Sequence, residues 1–170
     1  MKPTGYDLSC TASASGLTDV TNVSNAPTQA VGDAPSFHGC FVNLAPAGPY
    51  TYSPDPTTNY MAERAITDPL ATSGGVAFFT TFQPYTDLCE LGGKSFIWAL
   101  QYDTCGLPTN MKGVAIVQVS TGAIQQENLS QIFAGSRKSG AIEGKPPEAQ
   151  GLSVQTSPPP EPRYIHVQER

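Results

Sequence analysis

Val76-Ala-Phe-Phe-Thr-Thr-Phe82 and Ser95-Phe-Ile-Trp-Ala-Leu-Gln-Tyr102 decide the fold. Both stretches are dense in aromatic and β-branched residues, which pack well on a pleated surface. The first lacks strict apolar/polar alternation, so it is expected to be covered on both faces. Upstream, Arg64-Ala-Ile-Thr-Asp-Pro-Leu-Ala71 is extended, because Pro69 biases Asp68 away from helical backbone, and Ser73-Gly74-Gly75 is a turn. A loop from Gln83 to Gly93 joins the two stretches, and Asp103-Thr-Cys-Gly106 closes the second. Extended segment, turn, strand, loop, strand, turn is the order of an antiparallel meander.

A second hairpin is legible downstream. Gly113-Val-Ala-Ile-Val-Gln-Val119 and Ala123-Ile-Gln-Gln-Glu127 flank Ser120-Thr121-Gly122, where Gly122 supplies the positive φ of a tight turn. Asn128 to Phe133 reads as one helical turn. Gly39-Cys-Phe-Val-Asn-Leu-Ala45 reads as a strand with Cys40, Val42 and Leu44 on one face. Ala47 to Thr58, with prolines in or beside it, reads as a loop because proline lacks the ladder N–H. The chain therefore divides into a polar, loop-rich excursion over 1–37 and a β-meander region over 38–133. A Gly/Pro-rich tether over 134–162 and a closing strand over 163–170 complete it. The fold class is all-β, with antiparallel meander sheets resembling β-propeller blades and long Gly/Pro-rich loops.

Composition agrees. The 170 residues hold 16 Gly and 16 Pro against 14% charged residues, a turn-rich balance that disfavours long helices. The formal charge of -5 and nine scattered basic residues argue against a nucleic-acid partner, since neutralising phosphates needs clustered Lys or Arg. No apolar run reaches the length of a membrane helix. Nothing near residue 1 resembles a signal peptide, so the chain is expected to begin inside a longer parent. Asn22-Val-Ser and Asn128-Leu-Ser match a glycosylation pattern too short to carry weight. Cys10, Cys40, Cys89 and Cys105 are widely spaced without a CxxC pair, and only His38 and His166 accompany them. That pattern points to two disulfides and an oxidising compartment rather than a zinc site.

No catalytic constellation assembles from spacing. His38 with Asp33, and His166 with Glu169, lack a GxSxG elbow and read as surface histidines. Glu63-Arg64 and Asp68 come nearest to a carboxylate pair, but Glu63 reads as a solvated or ion-paired position. Gly92-Gly93-Lys94-Ser95 ends like a phosphate loop yet runs into a strand, without a helix N-terminus to cradle an anion. Phe78, Phe79, Phe82, Phe96, Trp98 and Tyr102 read as the inter-sheet core. Tyr50, Tyr52, Tyr60 and Tyr85 lie among Pro and Asn and are the candidate interaction loops, since amphipathic tyrosine suits interfaces. No cofactor or metal is expected.

Taken in order, Gly39-Cys-Phe-Val-Asn-Leu44, Ala62-Glu-Arg-Ala-Ile-Thr-Asp-Pro-Leu70 and Gly75-Val-Ala-Phe-Phe-Thr-Thr-Phe82 resemble the C-terminal propeller of the PilC/PilY proteins of type IV pili. The likeness continues through Cys89, Gly92-Gly93-Lys-Ser-Phe-Ile-Trp-Ala-Leu100, Tyr102-Asp103 and Val117-Gln-Val-Ser-Thr-Gly-Ala-Ile124 to the segment Arg163–Arg170. The resemblance implies an exported, cell-surface protein of pilus biogenesis and adhesion. It would be non-catalytic and partnered by minor pilins or surface molecules. The calcium loop of some members is not carried over, because Asp55, Asp68, Asp87 and Asp103 stand alone. Cys40 stands where the family has an aromatic, and Cys105 in a turn usually written with Gly. These two departures suggest a Cys40–Cys105 bridge, with Cys10–Cys89 as the second. The rival readings are a structural subunit of a surface filament and a quinoprotein-like propeller enzyme.

Overall fold

The computed structural model describes residues 17–22, 39–87, 92–102, 104–109, 111–133, 135–142 and 144–156. Along the chain the strands are β1 (Thr18–Asp19), β2 (Cys40–Phe41), β3 (Gly48–Tyr50), β4 (Thr58–Tyr60), β5 (Arg64–Ala65), β6 (Leu70–Ala71), β7 (Val76–Pro84) and β8 (Gly93–Gln101). They continue with β9 (Gly113–Val119), β10 (Ile124–Asn128), the short helix α1 (Leu129–Ile132) and β11 (Pro147–Thr156). The protein is all-β in antiparallel sheets, apart from a short parallel pair of β1 with β2, and among the described residues no sheet closes into a barrel.

β7 and β8 form the centre of the first sheet and pair over their whole length, from Val76 opposite Gln101 to Pro84 opposite Gly93. The other edge of β7 takes β5 and then β6. Between those short strands the chain bulges away, and the Thr67 hydroxyl accepts from the Thr80 backbone N–H at 2.8 Å. The outer edge of β8 is lined by residues 137–142 and 144 (the 137–144 edge). Ala99 N–H donates to Arg137 O, Ser139 N–H to Ile97 O, Ile142 N–H to Ser95 O and Gly93 N–H to Gly144 O. The second sheet has the order β10-β9-β11.

Side-chain alternation gives the first sheet two different faces. Val76, Phe78, Ile97 and Ala99 point inward and share one core with Ala115, Val117 and Val119 of β9 and with Leu129 and Phe133. Asn128 caps α1 by accepting from Ser130 N–H at 3.0 Å. The opposite face carries Phe79, Thr81, Gln83, Phe96, Trp98 and Leu100 and lies under the segment that holds β2, β3 and β4. β7 and β8 are thus buried on both faces, in keeping with their unbroken apolar reading.

Several expectations need correction. Residues 134–162, read as a tether, supply both the 137–144 edge and the ten-residue β11. Most of β11 is exposed or half-buried, so its polar composition disguised a strand whose Leu152 and Val154 pack against the core. The Pro-rich stretch read as a loop carries the β3–β4 ribbon, with Pro49 opposite Asn59; Pro49 lies on β3, the strand of the ribbon away from the Tyr60–Tyr85 bridge, where a missing N–H is tolerated. The strand expected over 39–45 shortens to β2, held beside β1. Tyr102 is 59% exposed and not part of the inter-sheet core. The closing strand over 163–170 lies outside the described residues, as do His38, His166, Cys10 and Cys89.

Candidate tyrosine platform and its buried ion pair

The outer face of the first sheet gathers the four tyrosines singled out from sequence. Tyr50 ends β3, Tyr60 ends β4, Tyr52 sits in the turn between them, and Tyr85 follows β7, bridged antiparallel to Tyr60. The Tyr50 and Tyr52 rings stack with centroids 5.8 Å apart and planes within 9°. Tyr52 meets Tyr60 edge-on at 5.3 Å and Phe96 edge-on at 5.1 Å, while Tyr85 lies 5.2 Å from Tyr60. Such tilted and offset pairs suit the ring quadrupoles. Tyr60, named with the others as a candidate interaction residue, is fully buried and serves as floor. Tyr50, Tyr52 and Tyr85 remain half-buried and form the accessible rim.

Polar contacts fix these rings. The Tyr52 hydroxyl donates to Gln83 Oε1 at 2.6 Å, and the Tyr50 hydroxyl to Pro46 O at 2.8 Å. Burial, followed by the neighbouring Glu63 carboxylate, pushes the Tyr52 hydroxyl up to about 12. Burial also raises Tyr60, with Tyr85 adding to it. At the rim Lys94 is ion-paired with Asp55, and that hydrogen bond holds the ammonium above its ordinary value.

Next to the platform lies a polar network that spacing did not reveal. The Glu63 side chain is wholly enclosed. Its Oε1 accepts from Trp98 Nε1 at 3.0 Å and from the Thr81 hydroxyl, and its Oε2 accepts from Ala45 N–H at 3.1 Å and Lys138 Nζ at 2.7 Å. Burial alone would raise the Glu63 carboxyl, but the hydrogen bonds from Lys138, Thr81 and Trp98 outweigh it and keep the group ionised, below its ordinary value. Burial pulls the Lys138 ammonium down, opposed by Glu63, and Lys138 Nζ sits 3.7 Å from the centre of the Phe96 ring. Glu63 is therefore ion-paired with Lys138, across the sheet, and not with its neighbour Arg64. Lys138 follows Arg137 in the one doublet of adjacent basic residues in the sequence.

Arg137, the other half of that doublet, is 3% exposed. Its guanidinium donates to the carbonyls of Cys105, at 2.9 Å, and Thr21, at 3.1 Å, and also to that of Val20. Beside it Cys40 and Cys105 are joined as a disulfide, with Cα atoms 6.4 Å apart. Cys105 has φ 56, the only non-glycine positive φ among the described residues. That explains why a turn of this kind favours Gly.

Chemically, the platform offers stacked, half-exposed ring faces with hydroxyls at their tips, a composition suited to a peptide or another amphipathic surface. Among the described residues no group of three or more His, Cys, Asp or Glu side chains is arranged to hold a metal ion, and no helix is long and apolar enough to cross a membrane. Comparison with protein-family models, with curated proteins and with solved structures gives no match.

Proposed function

We propose that this chain is a non-catalytic binding piece of an exported type IV pilus tip or assembly protein of the PilC/PilY kind, acting in pilus biogenesis and adhesion. It would contribute one propeller blade and part of another. The observation that carries the binding reading is the tyrosine platform, in which Tyr50, Tyr52 and Tyr85 are held half-exposed over a floor of Tyr60 and Phe96. Aromatic side chains already ordered before contact lose little conformational freedom on binding, which makes tyrosine an efficient anchor. The partner in this reading is a protein, with a minor pilin as the first candidate.

Three further features support it. The segments that resemble the family, Ala62–Leu70, Gly75–Phe82 and Gly92–Leu100, fall on one sheet built from β5 and β6, β7 and β8. Because β5 and β6 share one edge of β7, the sheet with its 137–144 edge is four strands wide, as a blade is. The Cys40–Cys105 disulfide suits an exported, extracellular protein.

The test is a binding titration of the immobilised full chain against purified minor pilins. Binding weakened by at least tenfold in both Tyr50→Ala and Tyr52→Ala, with the circular dichroism unchanged, is the expected result. Equal binding by wild type and both variants, or no binding to any minor pilin, would remove the reading.

A further inference from the structure

We infer that the outer edge of β10 is an interaction surface for an extended strand, and that its occupant is this chain's own segment Arg163–Gln168. The inference does not depend on the pilus reading. Among the described residues β10 is the terminal strand of its sheet. Val119 N–H donates to the Ala123 carbonyl at 3.0 Å at the hairpin end. By the alternation of an antiparallel ladder, the backbone groups of Gln125 and Glu127 then point to β9, and those of Ile124 and Gln126 point away from it. Ile124 is also 67% exposed, one of three large apolar side chains so placed among the described residues. An exposed edge with an exposed apolar side chain is a template for strand addition.

The length of chain beyond β11 selects the occupant. β11 ends at Thr156, opposite Gly113, at the same end of the sheet where β10 finishes with Asn128 opposite Val114. A strand added outside β10 lies three strand spacings from β11, about 14 Å at ~4.8 Å each. Six residues, Ser-Pro-Pro-Pro-Glu-Pro over 157–162, would reach about 19 Å at the ~3.1 Å per residue of polyproline II. The linker is long enough to cross the sheet end, and the next residues, Arg-Tyr-Ile-His-Val-Gln, have the alternation of a strand.

Charge and polarity choose the same register. Placing Arg163 opposite Glu127 in an antiparallel pair gives a directly opposed ion pair. It also sets Ile165 beside Gln125, with Val167 on that same side. In β9 this is the side of Ala115 and Val117, both fully buried. Tyr164 and His166 then face Gln126 and Ile124, the residues whose backbone groups point outward. Shifting by one residue loses both the ion pair and the apolar side.

Amide hydrogen exchange on the full chain tests this. The amides of Ile124 and Gln126 are expected to be protected at least tenfold over a full-length Tyr164→Pro/His166→Pro variant, with Val117 exchanging equally in both as a check on the fold. Arg163→Glu should weaken that protection, and adding Glu127→Arg should restore it. Unprotected Ile124 and Gln126 in the wild-type chain would overturn the inference. So would protection that grows with protein concentration, because the strand would then come from a second copy.

Discussion

Lys138 Nζ lies 2.7 Å from Glu63 Oε2 although 75 residues separate them in sequence. The pair joins the 137–144 edge to the opposite edge of the sheet by reaching across the outer face over Phe96 and Trp98. A buried pair of this kind is costly to break from one side, because the survivor stays buried without its counter-charge.

Glu63→Ala should therefore destabilise the protein by about 3 kcal/mol, the low end for a buried pair, since Lys138 retains some solvent access. Lys138→Met should cost less, about 2 kcal/mol, because Thr81, Trp98 and the Ala45 N–H still satisfy the carboxylate. Urea unfolding with unchanged m-values gives both numbers. The sign with pH follows from the depressed Glu63 carboxyl. Its contribution is present above the ordinary value of 4.5 and is lost as pH falls through the lower folded value. Wild type should lose stability below about pH 4.5 more steeply than Glu63→Gln, and parallel pH profiles would contradict this assignment.

What the sequence made legible, and what it did not, has a physical pattern. β7, β8 and the β9–β10 hairpin carry their own signals, aromatic and β-branched runs closed by Gly75 and Gly122, so local chemistry specifies them. β11 carries little such signal because most of its side chains meet water, and only Leu152 and Val154 report the core. The four tyrosines stood out in the sequence by their type and surroundings. That Tyr60 becomes the floor and the others the rim depends on β4 folding over β8, which is information between segments. Glu63 and Lys138 were invisible as a pair for the same reason: long-range partners leave no spacing.

The disulfide and its turn give a second prediction. Cys40 and Cys105 close a loop of sequence separation 65, for which chain-entropy reasoning gives about 4 kcal/mol. Cys40→Ser with Cys105→Ser should lose roughly that amount. Because Cys105 sits at φ 56, the combination Cys40→Ser with Cys105→Gly should be more stable than the double serine variant by about 1 kcal/mol. Chemical denaturation of the two variants side by side decides it. A glycine variant no more stable than the serine one would mean that the left-handed backbone at 105 costs nothing.

Two glycines should respond very differently to alanine. At Gly93 an added Cβ would lie 2.2 Å from Gln83 O and 2.7 Å from Pro84 Cα, both backbone atoms of the paired strand, so β7 and β8 must separate locally. At Gly122 nothing lies within 4 Å, and only the φ of +78 opposes a side chain. Gly93→Ala should cost about 3 kcal/mol, the upper range of overpacking, and Gly122→Ala about 1 kcal/mol. In calorimetry this separates as a fall in Tm of roughly 6–12 °C against roughly 2–4 °C. Similar shifts for the two would show that the β7–β8 contact yields easily.

The Tyr52 hydroxyl offers a spectroscopic handle on the platform itself. It donates to Gln83 and faces the enclosed Glu63 carboxylate, and with burial as the largest cause it titrates at about 12 against an ordinary 10.0. The folded protein therefore holds this proton between those values while the unfolded chain releases it, so stability falls as pH rises from 10 towards 12. Ultraviolet titration should show a tyrosine ionising near 12 that disappears in Tyr52→Phe. The same substitution should cost about 1 kcal/mol at neutral pH, through the lost hydrogen bond and the acceptor it leaves on Gln83. It should also reduce the alkaline loss of stability, since a phenyl ring has no proton to release. A tyrosine at position 52 that ionises near 10 would mean that the ring is solvated, and that the stacked rim of Tyr50 and Tyr52 is not the fixed surface on which the binding reading rests.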